Sequence, residues 1–174
     1  MFEKANEYLK NLEYSSAAGV YQYVSELNPN SKLGEISLKK SDSLKPIARQ
    51  KLKESLLGTW KLYKSGSNWG MEKTSNTLII KTLVIDENKF CFYEQDSKSD
   101  KIKLVKCENI QFSKSFDERS YSYDFVFSDN QIWSFNVNPK NGELRQMYFG
   151  DQDENGVREM VCGNPEFIYS KQKN

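Results

Sequence analysis

A chain of 174 residues is long enough for one good-sized domain, or for a small domain with a helical appendage. Charged residues make up 28% but the net charge is only +1, so no global attraction to nucleic acid or acidic membranes is encoded. The absence of histidine removes Ser-His-Asp and Cys-His catalysis, His-ligated metals and the usual near-neutral proton shuttle.

Mean hydropathy is −0.75, and no run approaches the roughly 18 apolar residues of a membrane span. The first ten residues, MFEKANEYLK, carry acids and no apolar h-region, unlike a secretory signal. If Met1 is the native start, the expected compartment is the cytoplasm. Cys91, Cys107 and Cys162 are too widely spaced for a C-x-x-C zinc or redox motif, and neither a metal nor a cofactor is expected.

The chain has two unlike parts. Five aromatic residues fall within 1–57 and eighteen within 58–174. In the first part apolar residues recur at three and four: Ala5, Tyr8, Leu9 and Leu12, then Ala17, Val20, Tyr21, Val24 and Leu27. Pro29 ends the second stripe, so an antiparallel helical hairpin is expected. A third helix is expected through Leu33, Ile36 and Leu44, and Pro46 fits the first turn of a fourth. The expected division is a helical segment at 1–55 and a β domain at 56–174.

From Leu57 the period becomes two. Alternating segments at 57–65, 77–86, 89–95, 103–112, 121–128, 131–137, 143–149 and 159–169 give eight candidate strands. Turn sequences such as KNGE at 140–143 and ENGV at 154–157 separate them, and no helical period intervenes. The expected fold class is α+β: N-terminal helices followed by an eight-stranded antiparallel up-and-down β-barrel, whose closure removes exposed edges.

The aromatic rows Tyr121, Tyr123, Phe125 and Phe127, and then Trp133 and Phe135, can share one face across a short turn. Trp60, Leu62, Leu78, Ile80, Val84, Phe90 and Phe92 extend that side. These side chains either fill the barrel as a solid core or line a cavity. If the hairpin 89–95/103–112 is symmetric about Ser99, Cys91 lies opposite Cys107. Two half-buried thiols in a reducing cell are the expected state.

Two resemblances sharpen this picture. Ala5, Tyr8, Ala17, Tyr21, Val24 and Pro29 are spaced as in a tetratricopeptide repeat, a resemblance confined to residues 1–30. LLGTWKL at 56–62 is similar to the first strand of the lipocalin and fatty-acid-binding superfamily, closest to the bacterial lipocalin-like domains. That resemblance implies that Trp60 plugs the barrel floor, with Gly58 and Leu62 in the matching positions. It also implies an Arg stacked on the Trp, for which Arg145 and Arg158 are the possible stand-ins.

Other chemistry is poorly supported. KSGSNWG at 64–70 lacks the Lys-Ser/Thr of a phosphate loop, and DQDENG at 151–156 lacks calcium-loop spacing. KSDKIKLVK at 98–106 is basic but makes no nucleic-acid platform. The expected function is therefore non-catalytic binding of a small apolar or amphipathic ligand. Its site would be Trp60, Leu62, Phe90, Phe92, Tyr121, Tyr123, Phe125, Trp133 and Phe135. The alternative is a protein-interaction module of inhibitor or immunity type, with a filled barrel and a partner docked on Tyr8 and Tyr21 of the helical face.

Overall fold

The computed structural model describes residues 1–74, 78–113, 123–154 and 156–172. The chain separates into two compact units, one built from residues 1–53 and the other beginning at Glu54.

The first unit holds α1 (Phe2–Lys10), α2 (Tyr14–Leu27) and most of α3 (Lys32–Leu56). Ala5, Ala17 and Ala18 are fully buried, and their small side chains let α1 and α2 approach closely. Tyr21 and Leu44 complete that core, with Phe2, Tyr8 and Leu9 packed beside it. Ser31 starts α3 by accepting the Gly34 N–H at 3.0 Å. A Cβ at Gly34 would lie 1.9 Å from the Asn28 carbonyl oxygen, so only glycine allows this approach. In place of a third helix and a fourth, α3 runs unbroken through Pro46. The missing Pro N–H removes one bond of the helical ladder without ending it.

In the second unit, β1 (Gly58–Ser67), β3 (Ile79–Ile85), β4 (Lys89–Asp96) and β5 (Ile102–Asn109) form one run of hairpins. β6 (Phe125–Val126), β7 (Gln131–Val137), β8 (Leu144–Asp153) and β10 (Pro165–Lys171) form the other. The antiparallel sheet has the order β5-β4-β3-β1-β10-β8-β7-β6, joined where β1 pairs β10. Two short strands, β2 (Gly70–Lys73) and β9 (Gly156–Glu159), extend β1 and β8.

The sheet is curled. Phe90 of β4 stacks on Phe135 of β7 with ring centroids 4.7 Å apart. In a flat sheet, the five strand spacings between them would separate them by about 24 Å. At the far ends, the segment that follows β5 meets β6 through an isolated bridge, Phe112↔Phe125, with Ser113 N–H donating to Asp124 O and Val126 N–H to Gln111 O. This is the α+β arrangement expected from the sequence: helices first, then an antiparallel meander whose main path has eight strands.

The details correct several expectations. The segment 159–169 divides between β9 and β10, β2 is additional, and β6 has only two residues. On β3 the buried residues are Leu83 and Ile85, whereas Leu78 is 59% exposed. The expected inward set Leu78, Ile80 and Val84 therefore has the wrong parity. Pairing of Leu83 with Trp60 sets the face, and a one-residue slip reverses every side chain. Cys91 does pair with Cys107, as the hairpin symmetry predicts, but the two form a disulfide rather than free thiols. Their Cα atoms, 4.1 Å apart across the strands, bring the sulfurs together.

Candidate functional site

The interior of the rolled sheet is filled at one end and open at the other. At the filled end Trp60, Leu83, Phe90, Phe125, Phe135 and Leu144 are at most 2% exposed. Phe90 meets Phe125 edge-on at 5.0 Å, and Phe125 stacks on Phe112 at 4.7 Å. Trp60 Nε1 donates to Leu56 O at 2.8 Å, tying the indole to the last residue of α3. Gly58 precedes it at φ +131°, a conformation that disfavours any side chain. Lys171 Nζ sits 5.0 Å from the Trp60 ring centroid.

That lysine occupies the position for which Arg145 and Arg158 were the candidates. Arg145 instead forms a two-pronged pair with Glu166, Nε to Oε1 at 2.7 Å and Nη2 to Oε2 at 2.9 Å. Arg158 pairs with Asp151 at 3.5 Å.

At the open end lies a cavity of about 240 Å³. Leu62, Phe92, Phe127, Trp133, Phe167 and Tyr169 supply apolar wall. The Trp133 ring lies 5.3 Å from Tyr148 and 6.0 Å from Phe167, and its Nε1 donates to Gln131 Oε1. Deep in the wall, Tyr169 Oη donates to Gln146 Oε1 at 2.7 Å. Burial pushes the ionisation of that phenol upward, so it is a neutral donor.

Three charged side chains also reach this cavity. Lys81 lies 3.7 Å from Glu94. Lys106 lies over Phe127 at 4.8 Å and Phe92 at 5.6 Å, and pairs with Glu108 at 3.1 Å. Glu108 is 5% exposed and accepts the Ser128 N–H at 2.9 Å. Burial by itself would raise its pKa, but the Ser128 bonds and Lys106 together hold it below the ordinary 4.5.

A larger groove of about 1090 Å³ adjoins this space, sharing Leu62, Lys81 and Phe167 with it. Its remaining lining includes Lys61 and Ser65 of β1, Ile80 of β3 and Ser170 of β10, with Thr74, Leu78 and Ser97 from outside these strands.

The structure thus sorts the residues singled out in the sequence. Leu62, Phe92 and Trp133 line the cavity. Trp60, Phe90, Phe125 and Phe135 belong to the filled end instead, because the stacked rings leave no space between them. Tyr123 is half-buried and outside the cavity lining, and Tyr121 lies outside the described residues. On the helical unit Tyr8 is half-buried, but Tyr21 has no exposed surface and donates its hydroxyl to Asn6. It is a core residue and presents nothing to a partner.

Phe127, on the inward row but outside the expected site, lines the cavity, and sequence reading missed Phe167, Tyr169 and Gln146 altogether. Phe127 continues the alternation of Tyr123 and Phe125, and Phe167 and Tyr169 alternate in EFIYS, so a signal existed for those three. Inward-facing Lys81, Glu94 and Lys106 carried none, since charge at an alternating position reads as a solvated face.

No protein-family model matches the chain, and no curated protein is similar to it. Among solved structures it is similar to lobster apocrustacyanin A1, at 13% identity over 72% of this chain and 69% of that chain, with a TM-score of 0.34. Among the described residues, no helix is long and apolar enough to cross a membrane.

Proposed function

We propose that the rolled sheet is a non-catalytic binding module that takes a small apolar or amphipathic molecule into its open end. One observation carries this reading: the aromatic side chains fill one half of the interior and leave about 240 Å³ in the other. That volume lies just under the usual range for ligand pockets, roughly 300–1,000 Å³. Its wall is apolar and aromatic with a few convergent polar groups, the composition such pockets favour. The rival reading, a partner docked on the helical face, loses one of its two residues because Tyr21 is buried.

The test is fluorescence titration with bromobenzene, whose heavy atom quenches an adjacent indole. Trp133 lines the cavity, Trp60 is sealed in the filled end, and Trp69 is 78% exposed. Saturable quenching is expected, and Trp133→Phe is expected to abolish it. Quenching that rises without saturation, or survives in Trp133→Phe, would overturn the reading.

A further inference from the structure

The inner limit of the 240 Å³ cavity carries a polar side chain that the protein uses on one side only. Gln146 of β8 stands opposite Phe135 of β7 and opposite Phe167 of β10. Residues directly opposite in an antiparallel pair share a face. Gln146 therefore points inward, between the stacked Phe135 ring of the filled end and the cavity wall. It is 3% exposed, whereas the side chains of Lys81 and Lys106 are 58% and 41% exposed. The amide lies at the floor of the cavity and the two ammonium groups at its mouth.

Tyr169 Oη donates to Gln146 Oε1 at 2.7 Å, which engages the amide oxygen. The Nε2 group still carries two N–H donors. Among the described residues, neither meets an acceptor. Nor is this nitrogen sealed in protein. Of the described buried polar side-chain atoms, Tyr123 Oη alone lacks both a partner and accessible surface. Nε2 has no partner and so keeps some surface, and Gln146 lines the cavity. An N–H held this deep costs free energy until an acceptor reaches it.

The surroundings select the acceptor. Lys81 and Lys106, the cations of the described lining, are at the mouth and face Glu94 at 3.7 Å and Glu108 at 3.1 Å. A carboxylate at the floor would lose its hydration with no counter-ion beside it. A neutral carbonyl oxygen accepts and brings no hydrogen that needs an acceptor in turn. The volume is just under the usual range for ligand pockets, so the molecule is small, about one ring with a short substituent.

We propose that the ligand is a small neutral carbonyl compound that enters carbonyl first. Its oxygen accepts from Gln146 Nε2, and its hydrocarbon part rests against Trp133 and Phe167. This inference rests on the binding reading above, and adds the ligand's polar group, its direction and the residue that recognises it.

Three molecules with the same count of non-hydrogen atoms test it: cyclohexyl methyl ketone, isopropylcyclohexane and cyclohexanecarboxylate. Each competes with bromobenzene, and displacement is read as recovered Trp133 emission. Gln146→Leu combined with Tyr169→Phe removes the donor without stranding the phenol. In that variant the ratio of ketone affinity to hydrocarbon affinity is expected to fall about tenfold. In the unaltered chain, NMR of the Gln146 side-chain amide is expected to show a proton moving downfield with the ketone and not with the hydrocarbon. That measurement does not depend on the variant folding. An unchanged ratio, or an amide that responds alike to both molecules, would overturn the role of Gln146. Tighter binding of the carboxylate than of the ketone would overturn the neutral class. Saturable bromobenzene quenching that the hydrocarbon relieves and the ketone does not would overturn this inference alone. Absence of saturable quenching would remove the binding reading itself.

Discussion

Lys171 Nζ lies 5.0 Å from the centroid of the Trp60 ring, placing a cation from the last strand over an indole from the first. The pair marks the β1–β10 junction, where Trp60↔Lys171 opens the ladder that joins the two halves of the meander. A cation over an aromatic face contributes about 0.5–2 kcal/mol, whereas burial of the indole itself contributes several times more.

Trp60→Ala is accordingly expected to destabilise the rolled sheet by about 3–5 kcal/mol, through the cavity it leaves. Lys171→Met retains most of the aliphatic stem, and its expected cost is only about 0.5–1 kcal/mol. Gly58→Ala forces a side chain into φ +131° and should cost about 1–3 kcal/mol. Urea denaturation monitored by circular dichroism ranks the three, and a Lys171→Met as damaging as Trp60→Ala would refute the ordering.

The seam between β5 and the turn after β6 depends on a carboxylate. Glu108 accepts the Ser128 N–H and pairs with Lys106, and its folded pKa lies below the ordinary 4.5. A depressed carboxylate pKa contributes stability above the unfolded value, and that contribution is lost as pH falls through the folded value. Glu108→Gln is expected to cost about 1–2 kcal/mol at neutral pH. The difference from the unaltered chain should shrink progressively below about pH 4.5. Stability curves measured from pH 7 to pH 3 check this, and a pH-independent difference would contradict it.

Tyr169 Oη and Gln146 Oε1 satisfy each other inside the cavity wall. Gln146→Leu strands a buried phenol and is expected to cost about 1–3 kcal/mol. Tyr169→Phe together with Gln146→Leu should recover part of that loss, since neither polar group then remains. A double-mutant cycle by chemical denaturation measures the coupling. Strict additivity would show that the hydroxyl finds another acceptor.

The Cys91–Cys107 bond closes a loop with a sequence separation of 16. Loops of about 15 residues correspond to roughly 3 kcal/mol of stabilisation on a chain-entropy account. Adding reductant, or making Cys91→Ala with Cys107→Ala, is expected to lower the urea midpoint by a matching amount. Thiol trapping in intact cells addresses the compartment. A bond that survives trapping places the chain in an oxidising space, and two trapped thiols place it in a reducing one.

By itself, the sequence determined what local periodicity can determine: helices before strands, the eight-strand meander and the facing of Cys91 by Cys107. Each depends on residues near one another in the chain, or on a hairpin whose turn sets the register. Tertiary structure alone decided which half of the interior is filled and which is open. That depends on Lys61 and Ser170 pairing although 109 residues separate them. It also depends on irregularities at Leu62/Lys64, Phe92/Tyr93 and Ile132/Trp133, each of which shifts the alternation on one strand relative to its neighbour. An aromatic row reads the same in sequence whether its rings stack against one another or stand apart around a space. Only the curl of the sheet, which brings Phe90 onto Phe135 and leaves Trp133 beside a cavity, separates the two.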